Sequence, residues 1–130
     1  ARPTLTGSAT GASAIPTIGA YAVAFGATVL LELPLLVVLA RWLLPAEPWG
    51  SVAVTGLLMN VVSHPLAFWV AYPLLHQVLG ATPAIAVVEG GVVLVESAIL
   101  TRRHGNLASA AVLAGLVNVF SFCVGVWVLP

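Results

Sequence analysis

Six side chains that can carry a charge or form strong hydrogen bonds lie inside runs of sequence that are otherwise apolar. They are Glu32, Asn60, His64, Glu89, Glu96 and Asn118. Carboxylates and an imidazole in such a setting can bind a cation, relay a proton or hold helices together. Because one ionised group at the centre of a bilayer costs about 2.5–3.5 kcal/mol, we expect these side chains to point inward and share protons.

The composition is that of a membrane protein. The chain has 130 residues, of which 61% are hydrophobic and 6% are charged, and its mean hydropathy is +1.13. A soluble domain carries about 25% charged residues, so lipid or other protein must cover most of this surface. The zero net charge argues against a nucleic-acid partner. The single cysteine, Cys123, excludes an internal disulfide and a multi-cysteine metal site.

Four apolar runs predict an all-α integral membrane protein, an up-down-up-down bundle of four transmembrane helices with short loops. The predicted helices cover about residues 18–44, 50–75, 83–100 and 107–129. Each approaches or exceeds the roughly 20 residues that cross a bilayer, and the short connections make successive helices antiparallel. Residues 1–17 are predicted to be a polar, flexible extracytoplasmic tail, and residues 18–130 the transmembrane domain.

The basic residues predict the orientation. Arg41 ends the first helix, and Arg102 and Arg103 lie between the third and fourth. The positive-inside rule places that side in the cytoplasm, so both termini are expected outside it, with the protein in the plasma (inner) membrane. The arginines are interpreted as topology signals or contacts to lipid headgroups. His76 and His104 are expected to lie in loops, where they are solvated or interfacial.

The rise of about 1.5 Å per residue brings a polar residue of each helix to a similar depth. Residues four or seven apart share a helix face, so the polar residues of the second helix form one stripe and those of the third another. We expect the two stripes to meet. The predicted contacts are Glu89 with His64, Glu96 with Asn60, and Glu32 with Asn118 or His64.

Two prolines stand beside polar residues inside predicted helices. Pro34 follows Glu32 by two positions and Pro65 follows His64 directly. A proline removes one backbone donor, which leaves a carbonyl free one turn earlier, and it kinks the helix. We expect kinks at both positions, with the freed carbonyls meeting another donor or lining a cavity.

The polar layer fits more than one function. We favour a structural or accessory subunit of a larger membrane complex, partnered by other membrane subunits or by copies of itself, in which the layer locks helix packing. So small a bundle has few ways to enclose a substrate cavity of about 300 Å³. The alternative is a small proton- or cation-coupled transporter or channel subunit that uses Glu32, Glu89 and Glu96.

A third hypothesis is an intramembrane metal site at His64 with Glu32 and Glu89 or Glu96, although no established ligand spacing is present. No motif implies a cofactor. We do not expect an enzyme, except as a non-catalytic subunit of a membrane enzyme complex. Ser63 and His64 point about 100° apart on a helix and cannot form a nucleophile–base pair.

Overall fold

The computed structural model describes residues 17–128, and all regular structure in that range is helical. The elements are α1 (Ile18–Leu43), α2 (Trp49–Leu66), a π-helical turn (Ala67–Ala71), α3 (Tyr72–Leu79), α4 (Ala81–His104) and α5 (Leu107–Val128). The predicted tail lies outside the described residues except for Thr17. The Thr17 hydroxyl caps α1 by accepting a hydrogen bond from the Ala20 N–H at 3.1 Å.

The predicted fold class is confirmed. Within residues 17–128, four helical segments are long and apolar enough to cross a membrane, and the second of them runs from Trp49 through the π turn to Leu79. Among the elements described, α1 packs against α2 and α5, and α4 packs against α5 and the whole second segment. The four segments therefore form a ring in which each contacts its two neighbours, with an interior that all four line.

The link between the second and third segments is shorter than predicted. Residues 76–79 and 81–82 are helical, so the segments predicted at 50–75 and 83–100 run from Trp49 to Leu79 and from Ala81 to His104. Gly80 alone breaks the helix, with a φ of +80° that favours glycine. Pro83 lies in the first turn of α4, where backbone N–H groups have no acceptor within the helix, so the N–H that proline lacks is not needed.

The next link is also shorter, and the expectation for His104 was wrong. The helix continues through the two arginines to His104 and ends at Gly105, whose φ of +76° makes it a left-handed C-cap. His104 is thus the last residue of α4, and only 1% of its side chain is exposed. His76 lies in α3 rather than in a loop, and it is exposed as expected.

The two prolines have different surroundings. Pro34 lies within α1, which continues from Ile18 to Leu43. Pro65 lies at the end of α2 and is followed by the π turn, in which the Tyr72 N–H donates to the Ala67 carbonyl five residues earlier. A π turn admits one extra residue and is common at functional sites.

The main cluster of buried apolar residues among those described lies in one half of the bundle. We call the end that carries Arg41, Arg102 and Arg103 the arginine end, and the other the Gly80 end. The buried apolar cluster lies between the middle of the bundle and the arginine end; its members are Leu36, Ala40, Leu44, Val52, Met59, Leu100, Ala110, Leu113, Ala114 and Val117. Gly56 lets α1 approach closely here, because a Cβ at this position would collide with Leu33 and Leu36.

Candidate functional site

A cavity of about 410 Å³ occupies the other half of the bundle. Every membrane-spanning segment contributes polar side chains to its lining, and all six polar residues singled out in the sequence lie there. The polar lining consists of Thr28, Glu32, Asn60, Ser63, His64, Glu89, Glu96, Asn118 and Ser121. From these residues the lining extends to Tyr72, Ile85 and Gly125 toward the Gly80 end. Although a bundle this small was expected to have few ways to form a cavity of substrate size, the volume is in that range.

Glu96 forms the floor of the cavity, at its boundary with the apolar core. Glu96 is 1% exposed, and each of its carboxylate oxygens accepts one hydrogen bond. The Ser63 hydroxyl donates to Oε1 at 2.8 Å, and the Asn118 amide donates to Oε2 at 2.6 Å. Asn118 also donates to the Ala114 carbonyl of its own helix. Glu96 thereby joins α2, α4 and α5, and its carboxylate has little freedom left to bind anything else.

Glu32 lies in the wall of the cavity on α1. It is 3% exposed, and it accepts a hydrogen bond from the Ser121 hydroxyl of α5. Asn60, also 3% exposed, lines the same cavity but donates its amide to the Gly56 carbonyl one turn earlier. The Glu32 contact therefore ties the first segment to the last.

Glu89 differs from the other two cavity carboxylates. It is partly buried, and no side chain or backbone group among residues 17–128 donates a hydrogen bond to it. It lines the cavity about two helical turns from Glu96, on the same face of α4. Glu32, Glu89 and Glu96 all contribute to the lining of this one cavity. Glu89 is consequently the carboxylate that is free to meet a ligand.

His64 faces α1 and aromatic rings. Its Nε2 lies 3.2 Å from the Thr28 hydroxyl, and its ring centroid is 5.4 Å from that of Phe25 and 5.6 Å from that of Tyr21. Its Nδ1 is buried and has no hydrogen-bond partner in the described part of the chain. The imidazole is thus held by α1 on one side and borders the cavity on the other.

The predicted pairings were wrong in their partners. Glu96 meets Ser63 rather than Asn60, and His64 meets Thr28 rather than Glu89. The reason is the 100° step between neighbouring helix positions, which turns Ser63 toward α4 and its neighbour His64 toward α1. The sequence carries a signal for this contact, because Ser63 lies three positions after Asn60 and therefore close to it on the surface of α2.

Aromatic side chains complete the lining, and sequence analysis had not assigned them to the site. Phe68, Tyr72 and Phe122 border the cavity together with Ile85 and other apolar groups. Phe68 directly precedes the exposed Trp69, and their rings contact each other edge to face. Spacing does not distinguish such rings from ordinary membrane-facing aromatics, so only the packed structure shows which of them face inward.

A second depression of about 440 Å³ lies between α4 and α5. Ala86, Gly90 and Val119 in its lining are exposed on the outer surface of the bundle, so this groove faces lipid. The groove and the cavity share four residues in their linings: Ile85, Glu89, Asn118 and Phe122. Glu89 therefore lies at the boundary between the interior of the bundle and its lipid-facing side.

The arginine end carries a separate polar cluster. His104 Nδ1 lies 2.8 Å from a Glu47 oxygen, although the two atoms are not aligned as a hydrogen bond, and Nε2 lies 3.3 Å from the Thr55 hydroxyl. The Arg41 guanidinium stacks 4.4 Å above the centre of the Trp49 ring. These contacts fasten the end of α4 and the end of α1 to the start of α2.

The predicted headgroup or topology residues and the metal candidates can also be located. Arg41, Arg102 and Arg103 are exposed. In residues 17–128, no three His, Cys, Asp or Glu side chains converge closely enough to hold one metal ion. His64, Glu32 and Glu89 share the cavity without forming such a group.

No protein-family model matches the chain, and neither a curated protein nor a solved structure shows significant similarity to it.

Proposed function

We propose that the protein is a small cation transporter whose interior cavity binds a cation in exchange for a proton. The observation that carries this proposal is the cavity itself, of about 410 Å³, with Glu32 and Glu89 in its walls. Ionisable residues inside membrane segments typically mark ion and proton paths. Carboxylates that are ionised together in a low-dielectric interior repel one another, and either a proton or a bound cation relieves that repulsion.

The uneven filling of the bundle supports transport rather than a permanent pore. The cavity reaches from the Glu96 layer toward the Gly80 end, whereas the apolar cluster fills the arginine half. A binding site near the membrane centre that extends toward one side is the arrangement that alternating access requires. The π turn after Pro65 and the break at Gly80 are places where the second and third segments can change shape.

The carboxylates have different roles in this proposal. Glu89 is the cation ligand, because it has no hydrogen bond among the described residues and lines the cavity. Glu32 is the second cavity carboxylate, held in place by Ser121. Glu96 is a positioning residue, because its two oxygens already accept hydrogen bonds from Ser63 and Asn118.

The Glu96 network favours a second candidate, an accessory subunit of a larger membrane complex. A carboxylate whose hydrogen bonds are satisfied by two other segments can serve packing alone. In that case mild detergent extraction recovers the chain with other proteins at fixed stoichiometry. Recovery of an active protein that contains only this chain contradicts the accessory role and leaves the transporter.

We further propose that the protein lies in the plasma (inner) membrane with its arginine end in the cytoplasm, because cytoplasmic ends are enriched in arginine and lysine. The cavity then extends toward the outside. A reporter enzyme that is active only in the cytoplasm, fused after Pro130, should be inactive. An active reporter reverses the orientation without affecting the cavity.

The transporter proposal is tested with the whole chain in sealed vesicles that contain a pH-sensitive dye. Adding a cation outside should drive protons out of vesicles loaded at acidic pH, for at least one cation of a panel of inorganic and organic salts. Glu89→Gln should abolish the proton flux, because it removes the charge and keeps the shape. Glu47→Gln is the matched control, since it removes the one carboxylate that lies away from the cavity.

The outcome is unambiguous if the variants are folded, which helical circular dichroism verifies. A wild-type protein that moves no proton with any cation contradicts the proposal. Equal flux in wild type and Glu89→Gln contradicts the role given to Glu89 and, with it, the exchange at the cavity.

A further inference from the structure

The lining of the cavity indicates what kind of cation it takes. Besides the carboxylates, Phe68, Tyr72 and Phe122 give the lining an aromatic surface. Aromatic faces attract cations and are the usual partners of quaternary ammonium groups. A volume of about 410 Å³ also falls within the range of sites that bind small organic molecules.

The groove between α4 and α5 adds a second indication. It adjoins the cavity at Glu89 and Phe122, and its lining is otherwise almost wholly apolar. Phe122 is 44% exposed, so its ring reaches from the cavity toward lipid. A ligand with its charge at Glu89 can therefore place an apolar group along Phe122 without leaving the site.

We propose that the ligand is an amphiphilic organic ammonium ion, whose charged group lies at Glu89 and whose apolar group lies against Phe122, toward the lipid-facing groove. This inference rests on the proposed function, since it names the class of cation that the cavity exchanges. It excludes a bare inorganic ion as the main cargo, because such an ion has no apolar group to bury against the aromatic wall or in the apolar groove.

The test is equilibrium binding to the purified full chain in detergent, with two probes that differ only in an aromatic group. Benzyltrimethylammonium should bind in a saturable manner and about tenfold more tightly than tetramethylammonium, since an aromatic group in an apolar site contributes on that order. Sodium in excess should not displace it. Glu89→Gln should weaken the binding of both probes by about tenfold or more, whereas Glu47→Gln should leave both unchanged.

The aromatic contact has a closely matched control. Phe122 and Phe120 are both on α5 and are 44% and 45% exposed, but only Phe122 lines the cavity and the groove. Phe122→Ala should therefore remove most of the advantage of the benzyl probe over tetramethylammonium. Phe120→Ala should preserve it.

The possible failures are distinguishable. Binding of sodium or another inorganic ion that depends on Glu89, without binding of either ammonium probe, overturns the ligand class and leaves the transporter proposal standing. An equal loss in the Phe122 and Phe120 variants also overturns the inference, because the apolar group then lies elsewhere. A wild-type protein that binds no cation contradicts the inference together with the proposed function.

Discussion

Ser63→Ala removes one of the two hydrogen bonds that hold the Glu96 carboxylate and should lower the free energy of unfolding. Ser63 is 4% exposed, and its hydroxyl donates across the helix interface at 2.8 Å. A hydrogen bond to a charged group contributes about 1.5–3 kcal/mol in soluble proteins, and interhelical bonds in membranes average about 0.6 kcal/mol with a maximum near 1.7. Because a Glu96 oxygen is left without a donor in the buried floor, we expect a loss of about 1–2 kcal/mol.

Ser97→Ala is the matched control for that prediction. Ser97 is 5% exposed and donates at 2.6 Å to the Val93 carbonyl of its own helix. That carbonyl already belongs to the helical hydrogen-bond pattern, and such local serine bonds do little for a helix. The expected loss is below about 0.5 kcal/mol. The two variants therefore remove the same atoms from similarly buried positions and differ in whether the bond joins two helices.

The measurement is reversible unfolding of both variants in mixed micelles of mild detergent and dodecyl sulfate, followed by helical circular dichroism. Equal losses for the two substitutions would show that Glu96 does not depend on Ser63. A larger loss for Ser97→Ala would refute the division into interhelical and local hydrogen bonds. Either result would also weaken the argument that Glu96 is a positioning residue and Glu89 the ligand.

Two further predictions concern packing away from the cavity and use the same unfolding assay. Gly56→Ala should lower the free energy of unfolding by about 1–3 kcal/mol, because the new Cβ would collide with leucine side chains of α1. Gly26→Ala should be neutral or stabilising, because no atom lies within 4 Å of its new Cβ. Similar effects of the two substitutions would contradict the close contact at Gly56. His104→Ala should cost about 1–3 kcal/mol by leaving Glu47 and Thr55 without their buried partner, and the exposed His76→Ala should cost little. Equal losses for the two histidines would refute the role of the cluster at the arginine end.

The sequence predicted the fold well because hydrophobic length is a strong signal. Four apolar runs of sufficient length leave few alternatives in lipid, where every backbone group must bond internally. The ends of the second and third segments were placed too early because His76 and the Arg102–His104 stretch were read as loop. The polar residues at these two links do not interrupt the helices, which end instead at Gly80 and Gly105, where φ is positive.

The six polar residues that the sequence singles out all line the cavity, but their contacts differ from the predicted ones. The helical rise predicts a similar depth for Glu32, His64, Glu89 and Asn118, because depth follows from residue number. It did not predict that Ser63 would reach Glu96, since that depends on how each helix is rotated against its neighbour. The volume of the cavity could not be predicted from the sequence either, because it depends on which side chains pack into the arginine half and which remain to line the other half.

The central claim, that a cation replaces a proton in the cavity, is tested most directly without a membrane. Purified protein in weakly buffered detergent solution is mixed with benzyltrimethylammonium or with sodium while a dissolved pH indicator is followed. The account predicts that protons are released in proportion to the cation bound, that Glu89→Gln releases none, and that Glu47→Gln behaves like the wild type. Cation binding without proton release, or the same release from the Glu89 variant, would contradict it.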